Sequence, residues 1–275
     1  MHKNLLFLTV ISLLPMIGVD AELPKDGLLC DLDAGQGVHK DASELVFRWE
    51  NMAVPPTHPG RNFVERVYSN RPSPEGRPRF RSANKDLNGK PSLIFRGKPA
   101  DGSHLGDDLI NMDGPDVYDH LTQGSGYTWV AVVKAYEQFS PLRGYGGQDV
   151  NIFFGNLRNA GGDTCDWCGF WGGISSDPEY DHYFWAGSRG DDDFTGFTGK
   201  SGHYRADGTP HVFGKPMKNQ WRIVAARMGS GTGRVEIEVF MDTDVKPINT
   251  APFFVESDPS LTNPDIMAVG TERDA

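Results

Sequence analysis

From residue 28 onward, short apolar runs alternate with clusters of turn-forming residues. The clearest pattern is Arg234-Val235-Glu236-Ile237-Glu238-Val239-Phe240-Met241-Asp242. Its period of two places Val235, Ile237, Val239 and Met241 on one face and Glu236, Glu238, Phe240 and Asp242 on the other. Such alternation predicts an antiparallel strand with one face on a core and one toward solvent. Residues 127–135 are almost continuously apolar, β-branched and aromatic, and predict a central strand. Further strands are predicted at 28–34, 46–49, 91–95, 150–154, 170–174, 182–186, 221–228 and 266–270, with a short edge strand at Val212-Phe213. Asn88-Gly89 opens the strand at 91–95, and the glycine-rich run 229–233 predicts a hairpin. Residues 53–79, rich in Pro, Arg and Asn, read as a long excursion with no helix. Residues 97–126 read as a Gly/Asp-rich connection with a short helical turn at 117–121. Roughly ten to twelve strands with no long helix predict an all-β chain of two packed antiparallel sheets.

Composition agrees with this pattern. The 33 glycines and 19 prolines supply the turns, and 275 residues suit one large sandwich or two small domains. No repeat and no clean boundary divides residues 22–275, which are expected to form a single domain. The first residues read differently. Lys3, an apolar stretch over 5–14 and Val19-Asp20-Ala21 have the layout of a secretory signal cleaved after Ala21. The apolar stretch is shorter than the roughly 20 residues that span a bilayer. The expected product is secreted, extracellular or periplasmic, and without a membrane anchor once residues 1–21 are removed. The net charge of −10 stays the same on cleavage, because Lys3 and Asp20 leave together. An acidic surface argues against nucleic acid or anionic membranes as partners, and is compatible with neutral sugars or with cations.

Four stretches resemble the concanavalin A-like lectin/glucanase superfamily in its laminin G-like form, common in secreted bacterial proteins. They are Leu32-Asp33-Ala34-Gly35-Gln36-Gly37-Val38 with Arg48-Trp49-Glu50-Asn51, then Leu87-Asn88-Gly89-Lys90-Pro91-Ser92-Leu93-Ile94-Phe95-Arg96-Gly97, then Tyr127-Thr128-Trp129-Val130-Ala131-Val132-Val133-Lys134, and last Val269-Gly270-Thr271-Glu272-Arg273. Their order and spacing over residues 27–273 carry the likeness. The resemblance implies a jelly-roll sandwich and a secreted, often carbohydrate-directed role as a lectin-like or adhesion module. Members usually continue with one more strand beside the first, so the chain is expected to be truncated at its C-terminal strand.

Candidate chemistry falls in three places. Glu236, Glu238 and Asp242 are similar to the catalytic strand of laminarinase-like glycosidases on this fold, which makes a glycoside hydrolase or polysaccharide lyase the alternative function. Glu236 and Glu238 lie roughly 6.5–7 Å apart along a strand. That separation decides nothing between the about 5–5.5 Å of retaining enzymes and the about 6.5–9.5 Å of inverting ones. Here the last acid also comes later than in the family pattern, and the same alternation fits any half-exposed strand. Asp177, Glu179 and Asp181 with Asp191, Asp192 and Asp193 group oxygen donors of the kind Ca²⁺ takes, without EF-hand spacing; solvated strand-breaking loops use the same residues. Trp167, Trp171, Tyr183 and Trp185 stand in an aromatic stretch suited to stacking on sugar rings, although alternate rings of a strand also serve as core. Cys165 and Cys168, in a glycine-rich setting, are expected to close a local disulfide first, to be free thiols second, and to serve redox or metal chemistry last. Cys30 reads as a small buried hydrophobe. No nucleophile motif, phosphate loop or dinucleotide fingerprint occurs, so binding is favoured over catalysis, with a structural protein-interaction domain as the third reading.

Overall fold

A computed structural model describes residues 26–67, 71–96, 106–111, 117–121, 123–136, 150–156, 169–175, 182–189, 213–255 and 267–270. The chain is all-β, and its strands form antiparallel sheets. In chain order they are β1 (Val38–Lys40), β2 (Val46–Glu50), β3 (Asn62–Glu65), β4 (Arg79–Asn84), β5 (Lys90–Ile94), β6 (Leu109–Asn111), β7 (Tyr127–Lys134), β8 (Val150–Gly155), β9 (Gly169–Ser175), β10 (Tyr183–Arg189), β11 (Phe213–Pro216), β12 (Trp221–Met228), β13 (Gly233–Met241), β14 (Asn249–Val255) and β15 (Met267–Val269). Short 3-10 turns occupy Pro59–Arg61, Lys85–Leu87 and Asp119–Leu121, the last where a helical turn is predicted. No helix among the described residues is long and apolar enough to cross a membrane.

Among the described residues, nine strands form one sheet in the order β1-β2-β3-β6-β15-β8-β9-β10-β11, four form a second in the order β14-β13-β12-β7, and β4-β5 is a separate hairpin. The two larger sheets share one apolar core. The smaller sheet supplies Tyr127, Trp129 and Ala131 from β7, Val224, Ala226 and Met228 from β12, and Val235, Ile237, Val239 and Met241 from β13. The core face read from the alternation of β13 is therefore the one observed. The larger sheet contributes Trp49, Phe63, Leu109, Phe154, Phe170, Phe184 and Val269. Trp129 stands between the sheets, with ring centroids 6.1, 6.0 and 5.8 Å from Phe153, Phe154 and Phe184. A bulge between Ile152 and Phe154 explains how two consecutive phenylalanines reach the same core: it interrupts the alternation by one residue.

Several sequence expectations are corrected. Residues 28–34 form no regular strand, although Cys30 and Leu32 are fully enclosed. A buried side chain holds part of their backbone. Buried Asn51 accepts from Asp31 N (2.8 Å) and donates to Leu29 O (2.9 Å) and Gly60 O (3.0 Å), and Met52 N donates to Asp31 O (2.8 Å). The excursion at 53–79 contains β3, and the connection at 97–126 contains β6. Both pair inside the nine-stranded sheet. Strand β7 lies at the margin of the four-stranded sheet among the described residues, not at its centre. Its apolar character comes from one buried and one half-buried face. Ahead of β6, Asp108 is enclosed and accepts from Arg66 Nε (2.7 Å) and Arg71 Nη2 (2.6 Å), which ties residues 66 and 71 to the sheet.

Candidate functional site

Cross-strand partners share a face of a sheet. One row of partners crosses most of the nine-stranded sheet on the face away from the core: His39, Arg48, Val64, Ile110, Ala268, Gly155, Trp171 and Gly187. Its two ends differ. Ile110, Ala268, Gly155, Trp171 and Gly187 are buried, whereas His39, Arg48 and Val64 reach solvent.

The β9–β10 end holds three of the predicted aromatic candidates. The register places Trp171, Tyr183 and Trp185 on the face opposite Phe170 and Phe184. Trp171 pairs with Gly187 and Trp185 pairs with Gly173. Each tryptophan thus faces a residue without a side chain, and a Cβ on Gly187 would overlap the six-membered ring of Trp171. The two indoles meet edge-on, with centroids 5.4 Å apart and planes at 64°. Trp171 is 1% exposed and Trp185 is 5% exposed, so neither ring offers a face to solvent. Tyr183 is half-buried.

The acidic strand lies on the outer face of the four-stranded sheet. Glu236 is exposed, opposite Pro252. Glu238 stands opposite Arg227, whose Nε donates to its Oε2 at 2.6 Å and whose Nη2 also reaches it. The Arg227 guanidinium lies 5.6 Å from the Phe240 ring. Asp242 falls just past the end of β13 with a left-handed backbone (φ 55°). It accepts from Arg222 Nη1 (2.6 Å) and Ile223 N (3.3 Å). Two of the three carboxylates are therefore tied to guanidinium groups, and the alternation ends at Met241.

Trp167, Cys165 and Cys168 lie outside the described residues, as do the expected calcium ligands Asp177, Glu179, Asp181, Asp191, Asp192 and Asp193, and the signal segment 1–21. Among the described residues, no group of three or more His, Cys, Asp or Glu is arranged to hold a metal. Cys30 is a buried free thiol, and desolvation pushes it far above the usual thiol range.

The β1–β2 end of the row carries a cluster that sequence reasoning missed. A register shift between His39 and Lys40 leaves Phe47 as the extra residue of a bulge. Its ring is 38% exposed. The His39 ring lies 6.3 Å away on one side, and the Arg77 guanidinium lies 5.4 Å from its centroid. Beside it, Glu50 accepts at both oxygens, Oε1 from His39 Nε2 (2.7 Å) and Oε2 from Arg61 Nη2 (2.7 Å). The hydrogen bond from Arg61, then that from His39, holds the Glu50 carboxyl below the usual glutamate range. Arg48 Nη2 stands 3.1 Å from both nitrogens of the His39 ring, so the guanidinium lies against the imidazole. The alternation Arg48, Glu50 within β2 was visible as a sequence pattern. The partners His39 and Arg61 come from other strands and turns, and only the register brings them in. No protein-family model matches this sequence, and no curated protein matches it.

Proposed function

We propose that the chain is a secreted, lectin-like carbohydrate-binding module on a jelly-roll sandwich of the concanavalin A-like kind. The observation that carries this reading is the β1–β2 patch. An exposed aromatic ring stands there among a histidine, two arginines and a carboxylate. Pyranose rings present C–H faces that stack on such rings, while their hydroxyls need both donors and acceptors within reach. Arg48 supplies donors, with its guanidinium against the His39 ring. Two sheets over a single core, with mostly short strands, accord with a jelly roll. Catalysis draws less support, because Glu238 and Asp242 are engaged by Arg227 and Arg222 on an outer sheet face. The test is titration of the full chain against a glycan panel, with Ca²⁺ and with chelator, which also examines the calcium expectation. At least one oligosaccharide is expected to bind, and Phe47→Ala is expected to weaken it by tenfold or more, roughly the 1.4 kcal/mol that a lost stacking contact represents. Absence of binding to every glycan under both conditions overturns the reading.

A further inference from the structure

We propose that the β1–β2 patch takes an acidic saccharide unit, with the carboxylate or sulfate of the sugar seated on Arg48 and its ring on Phe47. This deepens the carbohydrate reading and rests on it. The inference starts from how the cations of the patch are already used. Arg77 holds Glu65 (2.7 Å) and Asp41 (3.1 Å), Lys40 holds Glu44 (2.5 Å), and Arg61 holds Glu50 (2.7 Å). Arg48 is different. Both oxygens of Glu50 are taken at 2.7 Å by His39 and Arg61, and the Arg48 guanidinium stands 3.5 Å off. Its Nη2 is spent on His39, its Nε is buried without a partner, and its Nη1 has no hydrogen-bond partner among the described residues. The side chain is nevertheless 39% exposed. A guanidinium carries five donors and cannot discard its proton, so an incompletely used one at a surface is a receptor for an oxyanion.

Position makes the anion part of a sugar. Arg48 follows Phe47 directly, and the His39 ring lies near both, with Arg48 Nη2 3.1 Å from its two nitrogens and the Phe47 centroid 6.3 Å away. The bulge turns two consecutive side chains toward one ligand, a ring surface and a charge set side by side. A uronic acid or a sulfated sugar has the same two features, a flat C–H face and a pendant anion. The His39 ring, 3.1 Å from Arg48 Nη2 at both of its nitrogens, holds the guanidinium beside Phe47.

The experiment uses the full chain and paired probes: uronic-acid oligosaccharides with their carboxyl-reduced neutral forms, and sulfated galactan oligosaccharides with their desulfated forms. The acidic member of at least one pair is expected to bind tenfold or more tighter than its neutral counterpart, with the two pairs separating carboxylate from sulfate. That preference is expected to weaken as salt rises, to vanish in Arg48→Gln, and to return only in part in Arg48→Lys. Phe47→Ala is expected to weaken both members of a pair alike. Equal binding of acidic and neutral forms, or a salt-insensitive preference in the wild-type chain, overturns the acidic subsite while leaving carbohydrate binding intact. Failure of every oligosaccharide to bind overturns both. The salt series needs no variant, so a poorly folded Arg48 substitution does not blunt the test.

Discussion

The two ends of the outer face of the nine-stranded sheet are built from the same pleat and joined by the same row of partners, yet they do opposite things with aromatic rings. At β9–β10, Trp171 and Trp185 lie across glycines and are enclosed. At β1–β2, Phe47 stands on a bulge with charged neighbours and keeps more than a third of its surface in water. Aromatic density along the sequence therefore does not by itself tell an enclosed ring from an exposed one. Trp171 and Trp185 are taken up by packing, whereas Phe47 keeps surface in water. The deciding quantity is the exposure that the sheet leaves to each ring, which depends on cross-strand neighbours.

The comparison breaks first at Trp171. Trp171→Ala is expected to cost about 3–5 kcal/mol in urea unfolding, as for other enclosed large-to-small changes. A cost under about 1 kcal/mol would mean that the ring is not packed as described. Next comes Gly187→Ala, expected to destabilise by about 1–3 kcal/mol because the new methyl meets the indole. In the Trp171→Ala background the same change should be nearly free, and an additive pair would contradict a direct contact. Phe47→Ala belongs at the other extreme. Its stability change is expected within about 1 kcal/mol, while glycan affinity falls; a large loss of stability with unchanged affinity would reverse the roles of the two ends. The smallest effect is in the pH dependence. The folded-state pKa of Glu50 is depressed, so the stabilisation it gives is complete above the ordinary glutamate pKa of about 4.3 and is lost as pH falls through the lower folded value. Thermal melts below that pH should fall more steeply for the wild type than for Glu50→Gln, and parallel curves would remove the Arg61–Glu50–His39 cluster from the stability of this end.

Much of the fold was legible because its longest strands carry their own signal. In β13 the period of two named the buried face residue by residue, and β12 and the hairpin before β13 followed from apolar runs and glycines. Strands β3, β6 and β14 were not legible. The first two are four and three residues long inside polar connections, and β14 contains Pro252, which cannot donate to a ladder and suits a sheet margin. Residues 28–34 erred in the other direction. Their apolar side chains were rightly read as buried, but hydrogen bonding there runs through Asn51, and an apolar run does not reveal which group its amides will meet. For the candidate site, alternation placed Glu236 with Glu238 on one face, while Trp171, Tyr183 and Trp185 were read only as members of one aromatic stretch, and the register is what puts them on a common face. Alternation could not show that the tryptophans are enclosed or that Arg227 occupies Glu238. Arg48 and Glu50 were in plain view, but their meaning lies in His39 and Arg61, which β-strand register and a 3-10 turn deliver from 9 and 11 residues away.

Strand β15 sits in the middle of the larger sheet, with β6 on one side and β8 on the other, although its three residues come after every other strand among the described residues. For a ribosome this fixes a timetable. Until residue 269 has emerged, β6 and β8 have no common neighbour, and a nascent chain displays two open inner edges flanked by apolar side chains. Such edges are templates for pairing with other chains. Synthesis of this protein therefore carries an interval, lasting at least until β15 is available, in which it depends on whatever shields unfinished sheets in the compartment where it folds.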